Sequence, residues 1–447
     1  MKHRYFVACA ALCAGLAGPL AAGAAGPAAT PAGAEPETTY VVKPGDTLMG
    51  ISKTLLVDGE RHGAYQRLAR HNALKDPNNI APGTTLRIPL AWLRREAATA
   101  RVIAVVGDVQ AGGRPLKVGD MVAEGAELAS GAGGYATLEF ADRSVLRIRP
   151  LSRVLVETHK SAPTLAEFET RLRLGAGAVE ATVAKQRAPN FRITTPTANM
   201  AVRGTEFRVR GSESVSQAEV IEGRVGVASA AGAQVAVDAG FGTVVRQGEA
   251  PAAPVRLLGA PDISRVEQLQ QRPMVRLTFT RLEGAVTYRA VVATDRDMRD
   301  VIAEATVYRA DVRVVDLRDG EYFYSLRGVD SLGLEGREAQ GRFRLKAHPL
   351  PPTSVAPLGN APLSPGAVEF TWGNGEEAAT FRFQLASDEG FRTILLERSG
   401  LAERRVIAER LEPGRYYWRA ASIRADGEQG PFGDAETFVV QAPAPAQ

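Results

Sequence analysis

The side chains able to carry covalent or metal chemistry are few in this sequence and poorly placed for it. Both cysteines, Cys9 and Cys13, lie in an apolar run near the start. Thiol-dependent peptidases and transpeptidases need a cysteine nucleophile, and none follows residue 13. The histidines past His3 are His62, His71, His159 and His348. None stands in the H-E-x-x-H or H-x-x-E-H spacing that gathers zinc ligands on one helix face. His62 and His71, close in sequence, read as surface residues. Ser52-Lys53 lacks the S-x-x-K spacing of an acyl-enzyme serine. Gly131–Gly134 and Gly204-Thr205 have neither the strand-loop-helix context nor the lysine of a phosphate loop, and read as turns. Carboxylates are abundant, but they fall in β segments with short loops, which offer no cleft for a glycosidase pair. The sequence therefore implies no catalytic residue, no metal, no cofactor and a non-enzymatic protein, with a hydrolase of unrecognised site as the outlying reading.

What remains is recognition by bent loops. Gly45, Asp46, Thr47 and Leu48 form a turn into a helix, with Asp46 or Thr47 as N-cap and Leu48, Ile51 and Leu55 on one face. A second helix carries Tyr65, Leu68 and Ala69 and runs out near His71-Asn72, where Asn suits a left-handed cap. A loop containing Asn79, Ile80, Ala81 and Pro82 follows, with Pro82-Gly83 as a turn, then the strand Leu86–Pro89. This order of strand, helix, helix and strand, opened by Tyr40-Val41-Val42-Lys43-Pro44-Gly45-Asp46-Thr47-Leu48, resembles the LysM domain. The resemblance implies binding of N-acetylglucosamine glycans such as peptidoglycan strands. Gly45, Asp46, Thr47 and Leu48 would form one wall of the site and Asn79, Ile80, Ala81 and Pro82 the other. Backbone amides and carbonyls would read the N-acetyl groups, with apolar contact from Leu48 and Ile80. Met49 stands where the family usually carries an aromatic, and the connection 57–63 is longer than its commonest form.

The elements around this module are set by composition. The chain has 447 residues and a formal net charge of +4. That length suits three or four domains, and so small a charge excludes a nucleic-acid protein. Arginine is spread along alternating strands and reads as a solvated face. Residues 1–25 read as a secretory signal peptide: Lys2, His3 and Arg4, then the apolar run Phe6–Leu20, then Ala22-Gly23-Ala24. Cleavage there would leave no cysteine and no transmembrane anchor. Ala/Pro-rich or charged stretches at 26–37, 93–100, 247–254 and 348–365 read as linkers.

Between them, 101–248 alternates with period two, as strands buried on one face do. Val145–Arg149, Ala178–Val183 and Glu206–Val209 are examples, Ala141–Ser144 reads as a hairpin turn, and a helical piece is expected at 163–171. Val106-Gly107-Asp108, Gly133-Gly134-Tyr135-Ala136-Thr137-Leu138, Phe191–Pro196 and Ala201-Val202-Arg203-Gly204-Thr205-Glu206-Phe207 resemble the FecR-type domain. Arg203, Gly204 and Thr205 are read as a structural motif between the strands Phe191–Thr194 and Glu206–Val209. Gly204 would take a conformation denied to residues with Cβ, and Arg203 would brace the loop. The membrane helix that precedes this domain in the iron-uptake regulator has no counterpart, so anti-sigma signalling is not expected to carry over.

The last part of the chain repeats itself. Leu317–Tyr324 parallels Leu411–Trp418, and Tyr288 with Ala293-Thr294-Asp295 parallels Phe381 with Ala386-Ser387-Asp388. The L-x-x-G-x-Y-x-[YW] step resembles fibronectin type III, with Tyr322, Tyr324, Tyr416 and Trp418 facing the core and the alternate aromatics exposed. The fold class is thus multidomain and mainly β: a small α+β LysM module (βααβ, 38–90), a FecR-like β domain (101–248) and two immunoglobulin/fibronectin III-like sandwiches (255–347 and 366–440). The expected function is a peptidoglycan-binding protein of the periplasm or cell envelope that holds β modules for an unidentified envelope protein partner. The alternative is a periplasmic sensing or regulatory component acting through the FecR-like domain.

Overall fold

The computed structural model describes residues 37–185, 190–359, 361–375 and 377–442. The signal peptide and most of the first linker lie outside the described residues. Among the described residues four main hydrophobic cores follow one another, with two smaller clusters where the roll meets the first sandwich.

The first unit pairs Glu37–Val41 with Thr85–Pro89 and packs two helices, Leu48–Leu55 and Ala64–His71, on that ribbon. Leu48, Ile51, Leu55, Leu68, Leu86 and Ile88 fill its core. The stretch read as a charged connector belongs to this unit. Leu93 bridges to Leu56, and Arg94 N–H bonds the Leu55 carbonyl at 2.7 Å. The left-handed residue after the second helix is Ala73 (φ 51°), not Asn72. Asn72 instead uses its amide: Nδ2 donates to the Leu68 and Arg87 carbonyls, and Oδ1 accepts from Arg87 N–H at 2.6 Å.

The second unit is a closed β-roll of two layers running from Glu96 to Arg256. The strand Glu167–Thr182 belongs to both layers. Its first part pairs with Arg153–Ala162, and its last part with Val145–Ile148 and Glu206–Gly211. It changes layers at Gly177 (φ 91°), where a Cβ would fall 2.4 Å from Ser152 Cα. Only glycine fits so close an approach. The helical piece expected at 163–171 is absent. Pro163–Leu165 forms a single 3-10 turn, and Glu167 already begins the long strand. This hairpin tip reaches the first unit, since Ala162 and Leu165 pack into its core.

The third unit is a two-sheet sandwich. Val275–Thr278 pairs with Asp311–Val314, and a five-stranded sheet runs in the order 269–270, 335–345, 320–329, 287–293, 301–307. The fourth repeats the plan but starts earlier than 366. Ser354–Ala356 and Ala361–Leu363, inside the stretch read as a proline linker, are strands of its two sheets. Tyr322, Tyr324, Tyr416 and Trp418 are buried. The alternate aromatics differ from expectation: Phe323 is half-buried against Tyr135 of the roll and Met298, and Tyr417 is half-buried too.

Candidate functional site

The two loops proposed for glycan contact are brought together by one residue. Val42 donates its N–H to Thr84 O at 2.9 Å and accepts from Gly83 N–H at 2.8 Å. This places 43–47 beside 79–84. Gly83 (φ 89°) closes the turn, with Thr84 N–H bonding Ala81 O at 3.1 Å.

Each wall residue has a defined place. Thr47 is the N-cap: it is extended, and its Oγ1 accepts from Gly50 N–H at 3.0 Å. Asp46 holds the loop shape. One carboxylate oxygen accepts from Lys43 N–H and from Tyr40 O–H, both at 2.7 Å. The Lys43 amide first and the Tyr40 hydroxyl second keep the Asp46 carboxyl below its ordinary range. Leu48 is turned into the core, so only its backbone is offered to a ligand. Ile80 is half-buried against the same core, while Asn79, Ala81 and Pro82 are exposed. The accessible apolar side chain at the first wall is Met49, 45% exposed.

The Arg203-Gly204-Thr205 motif follows the strand Ala198–Val202, which the sequence reading had not placed, and precedes Glu206–Gly211. Gly204 takes φ 60°, and a Cβ there would meet the Lys185 side chain at 2.7 Å. Thr205 is buried and its carbonyl accepts from Val183 N–H at 2.8 Å. Arg203 is exposed. The histidines are dispersed: His71 bonds Glu37, His159 is buried beside Thr170, and His348 bonds Asp319. No group of three His, Cys, Asp or Glu that could hold a metal occurs among the described residues, and no helix there is long and apolar enough to cross a membrane.

A second constellation, between the roll and the first sandwich, was missed from sequence. Glu335, its side chain 1% exposed, accepts from Arg149 at 2.8 Å, Arg210 at 2.6 Å and Arg327 at 3.1 Å, with Arg208 at 3.4 Å. Glu180 accepts from Arg327 at 2.6 Å and lies 3.4 Å from Arg289. Burial alone would push both carboxyls up, but the surrounding arginines outweigh it and hold both well below the carboxylate range. Arg149, Arg208, Arg289 and Arg327 are buried, so the solvated-face reading fails for them, while Arg210 is partly exposed. Alternating arginines in strands from two domains, with glutamates in between, were the available signal. Beside the cluster lies a cavity of about 560 Å³ lined by Tyr135, Arg147, Glu206, Met298 and Glu338 among others.

Comparison with known proteins agrees with this layout. Residues 40–89 match the LysM domain and residues 126–226 match FecR protein, so the chain carries both domains. No curated protein matches it. Among solved structures, a candidate anti-sigma factor from Parabacteroides distasonis is 14% identical with a TM-score of 0.25, over 29% of this chain and 59% of that one. The chain thus spans less than two thirds of that protein's length. Domains FN1–FN3 of chicken CNTN1 are 12% identical with a TM-score of 0.22, over 60% of this chain and 95% of theirs. Fibronectin(III)-like modules of Clostridium thermocellum CbhA are 12% identical with a TM-score of 0.18, over 41% and 93%.

Proposed function

We propose that this is a non-enzymatic cell-envelope protein that binds peptidoglycan glycan strands through its LysM domain and carries its β domains as one attached body. The observation that carries the reading is the joining of the two loop walls by Val42, with exposed Asn79, Ala81, Pro82 and Met49 around the junction. Such a surface suits a glycan, which needs backbone donors and acceptors on bent loops together with some apolar cover. A single shallow site lacks the avidity of tandem modules. The basic, apolar and small-residue segments of 1–25 support export to the periplasm.

The test is co-sedimentation of the full chain with purified peptidoglycan, beside an Asn79→Ala, Ala81→Glu double variant. Wild type should enter the pellet and the variant, equally stable to heat, should stay in solution. Wild type remaining in the supernatant, or the variant pelleting as well as wild type, would sink the reading. A second reading, regulation through the FecR domain, is favoured by the match at 126–226. Its partner would be an unidentified envelope protein.

A further inference from the structure

The two sandwiches carry the same device on the same sheet face. In the first, Arg289 of Thr287–Ala293 pairs with Glu304 of Val301–Val307 at 2.5 Å. In the second, Arg382 of Thr380–Ala386 pairs with Glu397 of Ile394–Leu401. The registers coincide. Val291 stands opposite Glu304 as Gln384 stands opposite Glu397, and both strand pairs shift register at the same step, before Ala293 and before Ala386. The turns coincide too. Asp295 accepts from Arg299 and Asp300 N–H, and Asp388 from Arg392 and Thr393 N–H. Met298 and Phe391 hold equivalent left-handed positions, φ 54° and φ 51°.

The cover differs, and so do three positions of the face: Arg327, Glu335 and Glu338 of the first sandwich correspond to Ala421, Gln429 and Phe432 of the second. In the first sandwich the β-roll lies on this face. Tyr135 packs with Met298, Glu180 bonds Arg289 and Arg327, and Arg149 reaches Glu304 at 3.6 Å. The Arg289 side chain is consequently 4% exposed. In the second sandwich the corresponding Arg382 and Glu397 side chains are 35% and 37% exposed. Here Arg419 lies 3.8 Å over Phe391 and 4.3 Å over Phe432, a stack held ready on the open face. Leu395, 49% exposed, borders it on the edge strand.

We propose that this face of the second sandwich is an interface, and that its occupant is the same face of a second copy of the chain. The first sandwich shows the chemistry an occupant must supply: a carboxylate for the strand arginine, an arginine for the glutamate, and an aromatic beside the left-handed knob. The second sandwich's face holds all three itself in Glu397, Arg382 with Arg419, and the half-buried Phe432. Two copies related by a two-fold axis would set Arg382 of each against Glu397 of the other, the self-complementarity an isologous dimer requires. The β-roll cannot serve this face, because its own matching surface is taken by the first sandwich.

The experiment is sedimentation velocity of the full chain, purified as exported, over a range of concentrations. Wild type should pass from monomer to dimer. Arg382→Glu, Glu397→Arg and Leu395→Glu should each weaken the dimer roughly tenfold or more. Leu395→Glu leaves the Arg382–Glu397 pair within the chain intact, which separates lost association from lost folding. An equimolar mixture of Arg382→Glu and Glu397→Arg chains should form the heterodimer, because each then presents one sign to the other. A wild type that stays monomeric at every concentration overturns the proposal. So does a dimer that none of the three substitutions weakens, or a mixture that does not associate.

Discussion

Thr38, in the first strand of the LysM domain, donates its hydroxyl to the buried carboxylate of Glu167, 129 residues away, at 2.5 Å. Glu167 opens the roll's long strand, so this bond ties the LysM domain to the roll beside the apolar contacts of Ala162 and Leu165. Thr38→Val should lower the stability of the intact chain by about 1–3 kcal/mol, the cost of leaving a buried acceptor short of a donor. Urea unfolding measures it. A change within error would mean that the bond holds nothing.

Glu335 is the counter-ion of several buried arginines. Glu335→Ala would strand Arg149, Arg208 and Arg327 without it and should cost about 3–5 kcal/mol, as removal of one partner from a buried ion cluster does. Glu335→Gln should cost less, because the amide oxygen still accepts. Equal losses for the two variants would show that the negative charge, which both remove, holds the cluster and that the accepting oxygen does not.

Gly204→Val should cost about 1–3 kcal/mol, since the left-handed backbone and the nearby Lys185 side chain both oppose a Cβ. Arg203→Ala should lower the melting temperature as well. If Arg203→Ala leaves melting unchanged yet abolishes capture of a protein partner, Arg203 belongs to a contact surface.

His159 is buried in the roll against Phe140, and burial pulls its pKa below the ordinary 6.5, against the opposing pull of Asp142 and Glu124. A group with a depressed folded pKa contributes stability that is present above 6.5. That contribution is lost as pH falls toward the folded value, because the unfolded chain takes a proton first. Glu304 has the opposite slope: burial first, then Glu335, raise it to about 7. The readout is therefore a difference. Between pH 7 and pH 5, wild type should lose stability relative to His159→Gln, and parallel curves would contradict a neutral buried histidine.

Met49→Trp should tighten binding to peptidoglycan fragments in calorimetry, because an indole face replaces a flexible thioether at the exposed first wall. Unchanged affinity would place the sugar away from residue 49.

Local chemistry was legible in the sequence where the signal was local. The Thr47 cap, the Pro82-Gly83 turn and the left-handed Gly204 each depend on a few neighbouring residues and the dihedrals they permit. Buried polar groups were not legible, because period-two alternation says which residues share a face but not whether the face meets water or another sheet. Arg289 and Arg382 have the same strand position and the same glutamate partner, yet one is sealed by the roll and the other is open. For the same reason the stretches at 93–100 and 348–365, polar or proline-rich, looked like spacers. Their pairing partners, Leu55–Leu56 and Gly366–Trp372 among them, lie outside the local window.

The strand Glu167–Thr182 has a mechanical consequence. Glu167 near its beginning is gripped by Thr38 of the LysM domain, and Glu180 near its end by Arg327 of the first sandwich. Thirteen residue steps of extended chain, on the order of 40 Å if straight, therefore join the LysM domain to the sandwich without a break. Tension between the LysM domain and the first sandwich would travel along this backbone, through ladder hydrogen bonds loaded in shear on both flanks. Because the strand changes layers at Gly177, where no side chain fits, that pull would turn a corner inside the roll before it reached the sandwich.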